Sequence, residues 1–203
     1  MTTRPPDAAT PRDRAKAERH GALLREATRL FAAHGFDGVS LEDLGAAVGI
    51  TGPAVYRHFS SKRALLGAIL LRASGDLLSG GRRVIAQGAE PRQCLRELVD
   101  FHVDFAVTDA DVIRVHDRDL ARLSDADRHE VRRLQREYVE LWIGVLERVH
   151  PDRVATDLRV RAHAGFGLIN STPYSVRALR DVPPDAVVHD ILSDMVFAAL
   201  CAH

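Results

Sequence analysis

Thr51-Gly-Pro-Ala-Val-Tyr-Arg-His-Phe-Ser-Ser-Lys-Arg63 is the stretch on which the fold of this 203-residue chain turns. Thr51 is a residue type that caps helix N-termini. Pro53 falls in the first turn, where its missing N–H leaves no bond unmade. Ser60 and Ser61 offer a fresh cap about two turns later, so the helix is short. Val55 and Phe59 lie four apart and face a core, leaving Thr51, Gly52, Ala54, Tyr56, Arg57 and His58 to face outward. A short helix with apolar anchors and an outward face of small, aromatic and basic residues suits the DNA major groove. That is the place of the second helix in a helix-turn-helix.

The residues before it agree. Ser40-Leu41-Glu42-Asp43 reads as a capping box opening a helix whose apolar face is Leu41, Leu44 and Val48. Gly49 supplies a left-handed stop and Ile50 a buried plug before Thr51. Taken from Phe36-Asp-Gly-Val-Ser-Leu through Gly-Ile-Thr-Gly-Pro-Ala-Val-Tyr-Arg-His-Phe to Leu66, the run closely resembles the DNA-binding domain of TetR-family transcriptional regulators. The resemblance covers residues 13–70 and is specific because the matches come in order.

The resemblance implies an all-α chain. Residues 13–63 would form a three-helix helix-turn-helix head, and residues 64–203 a helical ligand-binding and dimerisation body. It also implies a homodimer on a double-stranded DNA operator that is roughly palindromic, and a small-molecule effector that releases it, hence a repressor. The implied effector is mostly apolar; a lipid or acyl thioester fits the apolar helices and scattered arginines such as Arg82, Arg83 and Arg114. Two alternatives remain open: a DNA-binding regulator switched by a partner protein, and an enzyme on a helical scaffold.

Apolar residues make up 46% of the chain and charged ones 28%, an ordinary balance for a globular protein with a sizeable core. Net charge is zero, which hides an asymmetry. Residues 1–63 carry ten Lys and Arg against seven Asp and Glu, and residues 64–203 carry eighteen against twenty-one. A basic head on an acidic body has the sign a DNA reader needs. Cys94 and Cys201 have no metal-ligand spacing and suit a reducing compartment. Met1–Arg14 has no apolar core of a signal peptide, and no run approaches the ~20 apolar residues that span a bilayer. The expectation is a cytoplasmic protein with no membrane partner.

In chain order, residues 1–12 read as a disordered tail, given Pro5, Pro6 and Pro11. From Asp13 a helix carries Leu23, Ala27, Leu30, Phe31 and His34 on one side and stops at Gly35. A long helix from Ser61 runs to Gly80-Gly81. Pro91 opens the next, Thr108-Asp109 and Ser124 cap two more, and Pro151 ends the second of these. A helix over 153–179 and another opened by Pro183-Pro184-Asp185 complete about nine, and no stretch has useful β periodicity.

For DNA contact, Gly52, Ala54 and Tyr56 match family positions that approach bases or adjacent phosphates. Arg57 either reads guanine or grips phosphate. Ser40, Thr51, Tyr56, His58 and Lys62 have the chemistry of phosphate contacts. For the implied effector, the candidates are His102, Phe105, Val112, His116, Tyr138, Trp142, Phe166, Asn170 and Tyr174. Asn170-Ser-Thr-Pro-Tyr174 is the informative run, because a proline there breaks or kinks the helix, and the polar groups line either a pocket or a bundle crossing. For dimerisation, Val187, Val188, Ile191, Leu192, Met195, Val196, Ala199 and Leu200 make a face too broad for one-sided packing. Ala162, Ala164, Gly165 and Gly167 allow close helix approach.

No catalytic or metal site is expected, and no cofactor. Asp109, Asp111, His116, Asp117 and Asp119 cluster in sequence but match neither an EF-hand loop nor a His-Glu-x-x-His helix. They read as caps and a solvated acidic face. Gly80-Gly81 precedes Arg82-Arg83 without the spacing of a phosphate loop.

Overall fold

The computed structural model describes residues 10–202, leaving aside the side chains at 11–16, 173 and 174. The tail reading for 1–12 therefore lies mostly outside the described residues. Its last residues are already helical, since α1 spans Pro11–His34. Among the described residues there are no strands. The order is α1, α2 (Leu41–Ala47), α3 (Gly52–Val55), α4 (Lys62–Ala86), α5 (Pro91–Thr108), α6 (Ala110–Asp119), α7 (Asp125–Val149), α8 (Ala155–Arg177) and α9 (Asp185–Cys201).

Local chemistry sets these boundaries. Gly35 (φ 81°) and Gly49 (φ 71°) end α1 and the α2 segment in the left-handed region. The Ser40 hydroxyl accepts from the Asp43 N–H while the Asp43 carboxylate accepts from the Ser40 N–H, so the capping box is formed. The Ser40 hydroxyl also donates to the Asp43 carboxylate at 2.7 Å, and this bond, with the one from the Ser40 N–H, holds the Asp43 carboxyl below its ordinary range. Ser61 and Ser124 cap α4 and α7 by accepting from the Ala64 and Asp127 N–H groups.

Two expectations need correction. Gly80-Gly81 does not end α4, which runs on to Ala86. These glycines instead remove side chains where two rings press on the helix. A Cβ on Gly80 would lie 2.1 Å from Phe101 Cζ, and one on Gly81 2.7 Å from Tyr138 Cε2. Pro173 does not break α8, which continues to Arg177. At the residue just before the proline, the Thr172 hydroxyl donates to the Leu168 carbonyl at 2.8 Å.

Burial divides the apolar side chains into two cores. The head core gathers Leu23, Ala27 and Phe31 of α1, Leu44 of α2, Val55 and Phe59, and Leu65–Leu70 of α4. It also takes in Val115, Leu123 and Val131, so α6 and the start of α7 are built into the head. The body core is centred on Leu95, Leu98 and Val99 of α5, Trp142 and Leu146 of α7, Leu158 and Ile169 of α8, and Leu192, Val196 and Leu200 of α9. Helix α4 lies along α7, and α5 lies along α9.

Candidate nucleic-acid interface and regulatory cavity

Helix α3 is one α turn, Gly52–Val55, followed by a tighter turn in which Arg57 and His58 donate to the Ala54 and Val55 carbonyls. This is shorter than the two turns expected. Thr51 is the N-cap residue, but its side chain makes no capping bond. Val55 and Phe59 are buried, as their spacing requires. Tyr56 is 58% exposed, Thr51, Pro53 and Arg57 are exposed, and Ala54 is half-buried. Ser40 is exposed one helix earlier.

Three residues expected to meet DNA are turned elsewhere. Gly52 is buried against α2, where a Cβ would lie 3.2 Å from Glu42 Oε1, so its role is close packing of the two helices. Gly45 has the same task from the other side: a Cβ there would lie 2.7 Å from the Ile50 carbonyl oxygen. A glycine inside a short helical pattern was the signal for it. His58 leans toward α1, its ring 6.4 Å from that of His20, which in turn stacks on Phe59 at 4.6 Å. Lys62 donates to the Phe36 and Val39 carbonyls at 2.7 and 2.8 Å and lies 4.5 Å above the Phe36 ring. Its ammonium braces the α1–α2 corner, which corrects the reading as a phosphate contact.

A chamber of about 120 Å³ lies between α4, α5, α6, α7 and α8. His102, Phe105, His116 and Asn170 line it, as does Val112. Leu70, Ala73, Ser74 and Leu77 of α4, with Ile113, Asp117 and Gln135, complete the wall. The α4 set was missed because its apolar spacing reads equally well as plain core. Asn170 thus faces the chamber rather than a bundle crossing.

His102 is the pivot of the wall. Burial pushes its imidazole down to about 4, so the ring is neutral. Its Nδ1 is 3.2 Å from the Tyr138 hydroxyl and its Nε2 3.1 Å from Asn170 Oδ1, which assigns the Nε2–H tautomer with Tyr138 as donor. Burial also pushes the Tyr138 phenol up. Tyr138, Trp142 and Phe166 pack behind His102, with ring centroids 5.6, 6.0 and 5.0 Å from its own. They support the wall and are not part of it. The side chain of Tyr174 lies outside the described residues. On the α6 side, His116 Nε2 sits 2.7 Å from Gln135 Nε2 and its Nδ1 3.1 Å from Asp117 Oδ1.

Helix α6 carries this wall to the head. Directly after Asp117, the Arg118 guanidinium donates to the Phe31 and Ala32 carbonyls at the end of α1, and buried Asp119 holds it at 3.0 Å. Arg118 also passes close to the left-handed Gly35, its Cζ at contact distance, 3.8 Å, from where a Cβ would stand. Outside the chamber, Ala110, Asp111, Arg114, Asp117, Arg118, Arg177 and Ala178 line a groove of about 700 Å³. Among the described residues, no group of His, Cys, Asp and Glu is placed to hold a metal ion.

Among the residues expected on a dimer face, Ala162, Val188 and Leu192 are buried within the chain, and Gly165 packs against Leu200 and Val196. Their apolar character belongs to the body core. Ile191 and Met195, both 54% exposed, and Ala199 face outward with Val187 on α9. Val160, Ala164 and Gly167 are exposed on α8, and nothing lies within 4 Å of a Cβ built on Gly167. No described helix is long and apolar enough to cross a membrane.

Comparison with known proteins matches residues 23–69 to the family model of bacterial regulatory proteins, tetR family, and residues 88–174 to the tetracyclin repressor-like C-terminal domain. The transcriptional repressor KstR2 of Rhodococcus jostii strain RHA1 is 30% identical over 133 residues, 65% of each protein. The transcriptional activator FasR of Mycolicibacterium smegmatis is 34% identical over 105 residues, 52% of this chain and 46% of that protein. Both matches span less than two thirds of the relative's own length. Among solved structures, AibR in complex with isovaleryl coenzyme A and operator DNA superposes with a TM-score of 0.72 at 21% identity, over 88% of this chain and 98% of that one. That likeness is one of fold.

Proposed function

Because the chain belongs to the tetR family of bacterial regulatory proteins, a family of DNA-binding transcription regulators, we propose that it is a dimeric repressor released from its operator by a small molecule. One observation carries the reading. The chamber wall and the DNA-facing head are built on the same two helices, because α4 and α6 both line the chamber and both enter the head core. A molecule seated between them has differential contact with any two arrangements of the head, which is the requirement for shifting that equilibrium.

In this reading Ser40, Thr51, Ala54, Tyr56 and Arg57 meet the DNA. Ala54 and Tyr56 approach bases, and the hydroxyls approach phosphates. His102, Phe105, His116 and Asn170 meet the effector. The outward stripe of Val187, Ile191, Met195 and Ala199, with Val160, Ala164 and Gly167, pairs with its copy and sets two heads on successive major grooves. The repressor KstR2, whose match is the longer of the two curated relatives described, supports the sign of regulation. AibR, carrying both an acyl thioester and operator DNA, supports effector control on this fold.

The test is selection of bound sequences from a random duplex pool, followed by operator release measured against a metabolite panel. The expected outcome is a roughly palindromic site with half-sites about 10 bp apart, and release by a small molecule. A protein that retains no sequence preference, or that no small molecule releases, would sink the proposal.

A further inference from the structure

A second recess lies outside the chamber, in the angle between α1, α4 and the α5–α6 corner. Its volume of about 390 Å³ falls within the ~300–1,000 Å³ of small-molecule sites, a range the chamber at about 120 Å³ does not reach. Buried Leu24 and Ile69, with Ala73, Phe105 and Val112, give the recess an apolar lining. Ala73, Phe105 and Val112 line the chamber as well, so these three side chains partition the two spaces.

Most charges around the recess are paired, and two are left over. Arg72 is 3.6 Å from Asp76, Arg29 is held at 2.9 Å by Glu26, and Asp111 lies 3.7 Å from Arg177. Among the described residues, neither Arg25 nor Asp109 has an ion pair or a side-chain hydrogen bond. Arg25 is exposed and lies back along α1 over Gly21. Asp109 stands at the N-cap of α6, yet its carboxylate makes no capping bond. Burial pushes that carboxyl above its ordinary range; Arg72 opposes the shift, and the Asp76 and Asp111 carboxylates reinforce it. The recess thus carries one uncompensated cation on the α1 side and one uncompensated anion at the α5–α6 corner, around an apolar lining. A ligand of single charge would answer one of them and leave the other; a ligand bearing both charges answers both.

We infer that the recess is a second ligand site, separate from the chamber, and that its ligand is an apolar zwitterion, an amino acid or a short peptide. The ligand carboxylate meets Arg25, which swings in from α1, and the ligand ammonium meets Asp109. The ligand's apolar side chain covers Leu24, Ile69 and Phe105. Bound in this way, the zwitterion ties α1 of the head to the α5–α6 corner. Its binding is independent of the effector reading above, since no chamber-only residue takes part.

The experiment is ligand-observed NMR titration of the full chain with L-phenylalanine and with L-leucyl-L-phenylalanine. Each is compared with its carboxamide, which lacks the anion, and its N-acetyl form, which lacks the cation. At least one zwitterion is expected to bind with a dissociation constant of about 1 mM or below, and the tighter of the two tells amino acid from peptide. Its carboxamide and N-acetyl forms should bind at least about tenfold more weakly. Arg25→Gln should weaken the zwitterion by about tenfold and leave the carboxamide unaffected. Asp109→Asn should weaken it to a similar degree and leave the N-acetyl form unaffected, and both variants should keep the wild-type melting temperature. A purely structural role would instead weaken every form alike. The inference is overturned if neither zwitterion binds at about 1 mM, or if a single-charge form binds as tightly as its zwitterion. It is equally overturned if the two substitutions weaken all forms alike or none.

Discussion

Lys62 and Arg57 sit five residues apart in the motif, and substituting each by alanine should have opposite consequences. Lys62→Ala removes the donor shared by the Phe36 and Val39 carbonyls, so it should lower unfolding stability by about 1–3 kcal/mol while leaving the salt dependence of operator binding unchanged. Arg57→Ala, at an exposed position, should keep stability within about 0.5 kcal/mol and weaken operator binding. A salt slope reduced by about one then assigns a phosphate contact, and relaxed preference at one base pair assigns base readout. Urea unfolding and anisotropy titrations at several salt concentrations separate these outcomes. His102 makes a pH prediction. Its imidazole titrates near 4 in the fold against 6.5 in the unfolded chain, so between those values the unfolded chain holds more protons. Stability from this group is complete above pH 6.5 and falls as pH drops toward 4. Between pH 7 and pH 5 the wild type should lose about 2 kcal/mol more than His102→Asn, measured by urea midpoints at both values. The type of each of these residues was legible in the sequence, but not its partners. Lys62 read as a phosphate contact because the carbonyls it binds lie 23 and 26 residues away, and nothing local announces them.

At the scale of the element, periodicity located the helices and punctuation located most ends, because Gly35, Gly49, Ser61, Pro91 and Ser124 act through their own backbone neighbours. It failed where a residue answers to a distant one. Gly80-Gly81 reads as a stop until Phe101 and Tyr138 are found lying on it, and Gly52 reads as outward until Glu42 is found beneath it. The chamber wall on α4 has the same origin. Leu70, Ala73 and Leu77 become chamber residues only when α6 and α8 leave a gap opposite them. Helix α6 is the element whose role no pattern disclosed, since it joins the chamber to the end of α1 through one guanidinium. Arg118→Ala should therefore weaken operator binding and reduce the effector's further effect on it, because α1 is already released. Calorimetry for the effector and anisotropy for the operator, each with and without the other ligand, measure the coupling directly. Unchanged coupling would sink the assignment.

For the whole molecule, the outward stripe on α8 and α9 makes the assembly prediction. Introducing Ile191→Asp with Met195→Asp places two charges on the exposed apolar face and touches no residue of the body core. Sedimentation should show a monomer of unchanged melting behaviour, and operator affinity should fall by about 100-fold or more as the second half-site becomes an independent binding event. A persistent dimer would place the interface elsewhere.

The seating of two rings on the glycines of α4 makes that helix a lever. Phe101 and Tyr138 leave no clearance for a side chain at Gly80 and Gly81, so the two rings grip the helix backbone there and a tilt about that point is the motion to test. Measured along the axis, Ser74 lies about 9 Å from this fulcrum and Lys62 about 27 Å, at 1.5 Å per residue. A tilt about that point would carry each ångström imposed at the chamber to the head as about 3 Å, a mechanical advantage set by residue spacing alone. Gly80→Ala, which lifts the Phe101 ring off its seat, should cost about 1–3 kcal/mol of stability. It should also blunt operator release more than effector binding, in parallel titrations of both; equal losses would mean that α4 does not pivot there.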